Sequence, residues 1–135
     1  MSAQNVEIAR RGYEAFNRGG VEAILDYMHR DIEWRMWEQF TREARVFHGH
    51  GGVREVLGIF YENFDDFRVE PLELIDAGEQ VVVPLKLHGR AKGTGEPNTF
   101  ELVQVWTVEG AKAIRLDVYA DRDEALRATG VQSGG

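Results

Sequence analysis

The 135-residue sequence contains no cysteine, which removes disulfides, thiolate metal ligands and thiol nucleophiles at once. Serine is almost as scarce. Ser2 and Ser133 are the only two, both at the ends, and neither is placed to act as an elbow-held nucleophile. Positive charge is also short: 16 Lys and Arg stand against 23 Asp and Glu, a formal net charge of −7. The basic residues are scattered, as at Arg10, Arg11, Arg42, Arg45 and Arg54, each with acids nearby. A phosphate-binding surface wants them clustered, so neither nucleic acid nor an anionic membrane surface is an expected partner. No stretch approaches the ~20 apolar residues that cross a bilayer. The opening MSAQNVEIARRGYEAF lacks the continuous apolar core of a signal peptide, and the expected location is cytoplasmic. Gly93-Thr94-Gly95 lacks a Gly-Lys-Ser/Thr run and a following helix, so it reads as a hairpin loop rather than a phosphate cradle.

What is present is ordinary globular material, 43% hydrophobic and 29% charged, enough for one domain over residues 1–131 with a disordered tail at 132–135. Val6, Ala9, Tyr13 and Phe16 recur at helical spacing over residues 4–18. Gly19-Gly20 stops that stripe, and Val21, Ile24, Leu25 and Met28 begin a second, which predicts an αα-hairpin. Asp31–Met36 alternates like a half-buried strand, and a short extended piece is expected near Val46-Phe47. Gly51 and Gly52 open a third helix over residues 51–64, with Val53, Val56, Leu57, Phe60 and Phe64 on one side. Strands follow at 66–76, 81–90, 99–109 and 112–120, joined by tight turns at Ala77-Gly78-Glu79 and Glu109-Gly110-Ala111 and a longer loop at 92–98. Asp121 caps a closing helix with Glu124 three residues on, and Gly130 ends it. Pro84 interrupts Val81–Leu85, and a bulge or an unpaired amide is expected there. Helices first and antiparallel strands after make this an α+β fold.

Several phrases carry a resemblance: Tyr13–Gly20, Asp31–Trp34, Phe47–Arg54, Phe67–Pro71, Ile75–Val81, Val105–Val108 and Tyr119–Leu126. Together with the element order, they resemble SnoaL-like proteins of the nuclear transport factor 2-like superfamily over nearly the whole chain. The resemblance implies a strongly curved, mostly antiparallel sheet wrapped around N-terminal helices as a cone with an internal pocket. It does not imply one function, because the fold hosts polyketide cyclases, ketosteroid isomerases, limonene epoxide hydrolases and pocket proteins.

Strand alternation assigns faces. Ile32, Trp34 and Met36, Val81 to Leu87 on odd positions, Phe100 to Val108 on even positions, and Ile114, Leu116, Val118 and Ala120 form the inward set. Lys86, His88, Glu101, Thr107, Arg115, Asp117 and Tyr119 fall outside. The expected ligand pocket comprises Tyr13, Trp34, Met36, Leu57, Phe60, Leu85, Leu87, Phe100, Leu102, Gln104, Trp106, Leu116 and Val118. The resemblance places an isomerase general base at Met36 and its oxyanion donors at Gly12 and Gln104, and an epoxide hydrolase set at Leu85, Leu87 and Val118. Met36, Leu85, Leu87 and Val118 are apolar, Gly12 has no side chain, and an amide cannot take a proton from carbon. A one-residue slip would turn Lys86 and Asp117 inward instead. If the chain catalyses a reaction, Asp117, His48 and Glu33 are the candidates. His48 and His50 alone make an incomplete metal set, and no metal or cofactor is expected. Three readings stand: a binding module for a small apolar or aromatic molecule with Gln104 as its main polar contact; a SnoaL-like isomerase, cyclase or hydrolase; or a non-catalytic interaction protein with a self-filled pocket. An apolar outer face around Val103, Val105 and Tyr119 points to a homodimer through that sheet.

Overall fold

The stripe of apolar residues at three- and four-residue spacing drives Ala3–Ile24 into helix α1, whose buried face carries Ala9, Tyr13 and Phe16. A computed structural model of the chain describes residues 3–36 and 45–130. Gly20, at φ 74° and ψ −155°, breaks the helical path of α1, in a region that only glycine enters readily. The second stripe yields one helical turn rather than the expected helix over 21–28. It passes into a 3-10 turn, Leu25–Tyr27, and Met28 already opens strand β1, Met28–Met36.

Strand β2, Arg45–His48, leads into helix α2, Gly49–Asn63. That helix starts at Gly49, where φ is 67° and a Cβ would stand 2.9 Å from the Arg30 carbonyl oxygen. Phe64 does not continue α2 as the spacing suggested. Its backbone is extended (φ −135°), and it begins strand β3, Phe64–Pro71. The Phe64 Cβ lies where a Cβ on Gly89 would come within 2.9 Å, so that glycine lets the ring lie over the neighbouring strand.

The expected strand 66–76 is two strands, β3 and the short β4, Ile75–Ala77. Both pair with strand β5, Gln80–Ala91. Strands β6, Pro97–Glu109, and β7, Lys112–Tyr119, follow. Helix α3, Arg122–Thr129, closes the described chain: Asp121 Oδ1 accepts from Glu124 N at 2.8 Å, and Gly130 is left-handed. The tail at 132–135 lies outside the described residues.

The open seven-stranded sheet runs β2-β1-β7-β6-β5-β3, with β4 also on β5. Among the described residues only the β1–β7 pairing is parallel. This is the expected α+β architecture of a curved, mostly antiparallel sheet.

Pro84 causes no bulge. It stands opposite Val103 in unbroken register, and its carbonyl accepts from Leu72 N at 2.8 Å. In a strand the amide and carbonyl of one residue face the same neighbour. The missing N–H therefore faces the gap between β3 and β4, where no partner strand needs it.

Strand faces follow the alternation with one exception. The β6–β7 register shifts between Thr107 and Val108, so Ala113, not Ile114, pairs with Val108 and enters the core. Ala120 lies beyond β7 and is exposed. Lys86 and Asp117 stay outward. Asp117 pairs with Val105 and Arg35, on the face opposite Leu116 and Val118, and no register slip occurs.

Two side-chain amides fasten α1 across the sheet. Asn17 accepts from Val69 N at 3.0 Å and donates to Val69 O at 2.7 Å, while Asn5 donates to the Gly78 carbonyl at 3.0 Å. Gly12 sets how closely the helix sits: a Cβ there would come 2.5 Å from Trp106 Cη2.

Candidate functional site: an apolar cavity with a directed hydrogen-bond chain

Cross-strand registers build the interior in rows. Trp34, Leu116, Trp106 and Val81 form one row, and Met36, Val118, Gln104 and Val83 the next. Leu102 opposite Leu85 follows, then Phe100 opposite Leu87, itself opposite Val69. Helices α1 and α2 close over the Met36 to Leu87 rows. The cavity between them is lined by Tyr13, Phe16, Ile24, Trp34, Met36, Leu57, Phe60, Phe67, Val69, Leu87, Leu102, Gln104 and Val118.

Four of the residues expected in the pocket lie elsewhere. Trp106 and Leu116 belong to the deeper row beneath Tyr13, and both are fully buried. Leu85 packs in the core between Pro71 and Leu102. Phe100 sits at the rim, 37% exposed. Phe16, Ile24, Phe67 and Val69 line the cavity unanticipated. Phe67 and Val69 share a strand face by simple alternation, a signal available in the sequence. Ile24 enters only because the chain breaks at Gly20.

The cavity is narrow. It has room for roughly two waters between its walls. One end is closed by aromatic rings. Phe60 stacks on Phe67 with centroids 5.1 Å apart and on Phe100 at 6.3 Å. Phe16 and Tyr61 meet Phe67 edge-on.

The other end holds the polar groups. Trp106 Nε1 donates to Tyr13 Oη at 2.6 Å, and Tyr13 Oη donates to Gln104 Oε1 at 2.7 Å. An indole N–H can only donate, so the tyrosine must accept it and pass its own proton on. This direction orients the Gln104 amide. Burial pushes the Tyr13 phenol far above its ordinary value, the Trp106 hydrogen bond opposing. The hydroxyl stays protonated and engaged. The resemblance matched the isomerase tyrosine to Gly12, but the residue that supplies an inward hydroxyl from α1 is Tyr13.

None of the three catalytic candidates reaches this space. Glu33 pairs with His48 across β1–β2, outside the Trp34 row, and His48 is exposed. Asp117 is buried but on the outer face, where its Oδ2 accepts from Arg115 Nε at 2.7 Å. His50 sits in the first turn of α2 with Nε2 2.9 Å from the Met28 carbonyl. Among the described residues the lining holds no carboxylate, imidazole, ammonium or guanidinium, and no three acids or histidines converge as metal ligands. No described helix is long and apolar enough to cross a membrane.

Residues 9–116 match the SnoaL-like domain. The chain belongs to the SnoaL-like family. This SnoaL-like chain is similar to an NTF2-like protein of unknown function from Burkholderia pseudomallei K96243. The two are 26% identical with a TM-score of 0.72, over 91% of this chain and 95% of the other. It is similar to TerC, whose crystals were grown with polyporic acid, at 27% identity and a TM-score of 0.74, over 93% and 98% of the two chains. A putative polyketide cyclase from Xanthomonas campestris pv. campestris shares the fold, with 18% identity, a TM-score of 0.68 and coverage of 93% and 97%. No curated protein matches the sequence.

Proposed function

We propose that this SnoaL-like chain binds a small apolar or aromatic molecule in the cavity, with the Gln104 amide as its main polar contact. The observation that carries this reading is the Trp106–Tyr13–Gln104 chain, which ends on the cavity wall rather than within the core. Lining by aliphatic and aromatic side chains with one or two placed polar groups is the usual make-up of such sites. The lack of a carboxylate or imidazole among the described lining residues, with the Tyr13 proton committed to Gln104, favours holding a ligand over moving its protons. The narrow space requires the ligand to displace a side chain, and Phe60, half-buried in the last turns of α2 against exposed Phe100, is the one that swings aside.

Thermal-shift and tryptophan-fluorescence titrations with naphthalene-sized apolar compounds, and with the polyporic acid found with TerC, test the reading. Saturable stabilisation by at least one of them is expected, with quenching of Trp34 in the cavity wall. Phe60→Ala is expected to speed ligand entry. No shift with any compound overturns the reading and selects a second one that the tight cavity supports: a self-filled interior with the outer sheet as the working face.

The pairing of two chains through that outer face is also proposed. One cross-strand row there reads Val46, Arg35, Asp117, Val105 and Val82. The Val105 and Val82 end is covered by Ala125 and Leu126 of α3 within the single chain, so those valines need no partner. The other end is open, with Val46 43% exposed beside Arg35. A solution mass of one chain overturns the proposal.

A further inference from the structure

We infer that the cavity selects uncharged hydrogen-bond acceptors, such as ketones, and discriminates against alcohols, amines and carboxylates of the same shape. This deepens, and rests on, the reading that the cavity holds a small molecule.

The argument is one of direction. The Trp106 indole fixes Tyr13 as an acceptor, and Tyr13 fixes the Gln104 carbonyl as its acceptor in turn. What Gln104 has left is its NH2 group, a pair of donors without a protein partner among the described residues, on a side chain that lines the cavity. Reversing the amide would leave the buried Tyr13 hydroxyl proton with no acceptor among the described residues, a cost that the observed orientation avoids. A second donor lies in the same wall. Trp34, 4% exposed, lines the cavity, and its Nε1 is buried without an acceptor among the described residues. The other side-chain oxygen in the lining besides that of Gln104 belongs to Tyr13, and both oxygens are already engaged within the chain. The side-chain polar groups of the described wall that lack any partner are therefore N–H groups.

A carbonyl oxygen placed against Gln104 satisfies a donor and leaves nothing of its own unpaired. An alcohol there accepts from the same donor but brings a hydroxyl proton for which the described lining side chains offer only oxygens already engaged in the chain, and a poorly paired buried donor is costly. An ammonium would meet the donors head-on. A carboxylate could accept, but the described lining offers no cation, and an ionised group buried without one is strongly disfavoured.

Affinities of acetophenone, 1-phenylethanol, 1-phenylethylamine, benzoate and ethylbenzene, measured by calorimetry or ligand-observed NMR, read this directly. Acetophenone is expected to bind about tenfold tighter than ethylbenzene, the worth of one hydrogen bond in a dry site, with the alcohol, amine and carboxylate weaker than the ketone. Gln104→Glu keeps an acceptor for Tyr13 while replacing the NH2; it is expected to abolish the ketone's advantage and favour the amine. Gln104→Met is expected to leave ethylbenzene binding in place and equalise the ketone with it, and Trp34→Phe to lower the ketone's advantage in part. Ethylbenzene binding as tightly as acetophenone to the unaltered protein would overturn the polarity inference while leaving the cavity reading standing, as would a ketone advantage that survives both Gln104 variants. Failure of every compound, the hydrocarbon included, would remove the cavity reading itself.

Discussion

Replacing Tyr13 with Phe removes a single oxygen and two hydrogen bonds, and the structure says what each loss costs. The ring stays in place, edge-on to Trp106 at 5.3 Å between centroids, so packing changes little. Trp106 is fully buried, and its Nε1–H would be left with no acceptor. Gln104 is 8% exposed and borders the cavity, so a water can take the tyrosine's place on one side. A buried polar group left unsatisfied costs about 1–3 kcal/mol; charging that in full for the indole and in part for the amide gives a destabilisation of about 2–4 kcal/mol. In a domain of this length that corresponds to a fall in Tm of roughly 10 °C. Urea unfolding of Tyr13→Phe, Gln104→Leu and the double variant at neutral pH measures it. The double variant is expected to cost about 1 kcal/mol less than the sum of the singles, because each single strands the other's partner. A loss below about 0.5 kcal/mol for Tyr13→Phe, or strict additivity, would refute the chain as the structural unit it is taken to be.

The same hydroxyl gives an alkaline signature. Its folded value lies above the unfolded one near 10.0, so the native state keeps a proton that the unfolded state releases. Stability is complete below about pH 10 and declines above it by up to about 1.4 kcal/mol per pH unit. Tyr13→Phe should flatten that decline, and equal slopes for the two proteins would contradict the assignment. At Gly12, alanine would gain about 1 kcal/mol in an open helix. Here its Cβ meets Trp106 at 2.5 Å, and overpacking of about 1–3 kcal/mol is expected to win, leaving Gly12→Ala less stable by chemical denaturation. Asp121→Ala removes the cap on Glu124 N and should cost about 1 kcal/mol; an unchanged midpoint would show that α3 is held by Ala125 and Leu126 alone.

Strand faces were legible because a period of two is a local property: once Val81 is inward, Val83, Leu85 and Leu87 must be. The rule fails at Ile114, where the shift in the β6–β7 register puts Ala113 inward, and no composition signal marks that shift. Phe64 deceived for a different reason. It lies at helical spacing from Phe60, yet the chain is already extended there, and the space that receives it is made by Gly89 on another strand. Which residues meet across the cavity depends on docking rather than on pattern. Phe16 and Phe67 touch at 6.0 Å between centroids because Asn17 ties α1 to the β3 backbone at Val69, a contact between positions far apart in sequence. Asp117 was legible as outward but not as buried, since that depends on what the tertiary fold lays around it.

The amide at position 104 shows why the site's character follows from its neighbours rather than from its family. Trp106 offers a proton that must be accepted, and Gly12 leaves room for its ring against α1, where Tyr13 presents the accepting hydroxyl. Tyr13, having accepted, must donate, so residue 104 needs an acceptor oxygen. An aspartate or glutamate would provide it, but would turn a second oxygen toward apolar walls, where a charge is costly. A leucine would suit those walls and leave the tyrosine proton stranded. Glutamine meets the inner demand with its oxygen and presents N–H groups to the cavity. The wall thereby acquires a polarity without acquiring a charge, and that polarity is set two residues back along the chain of bonds, at an indole that never touches the cavity.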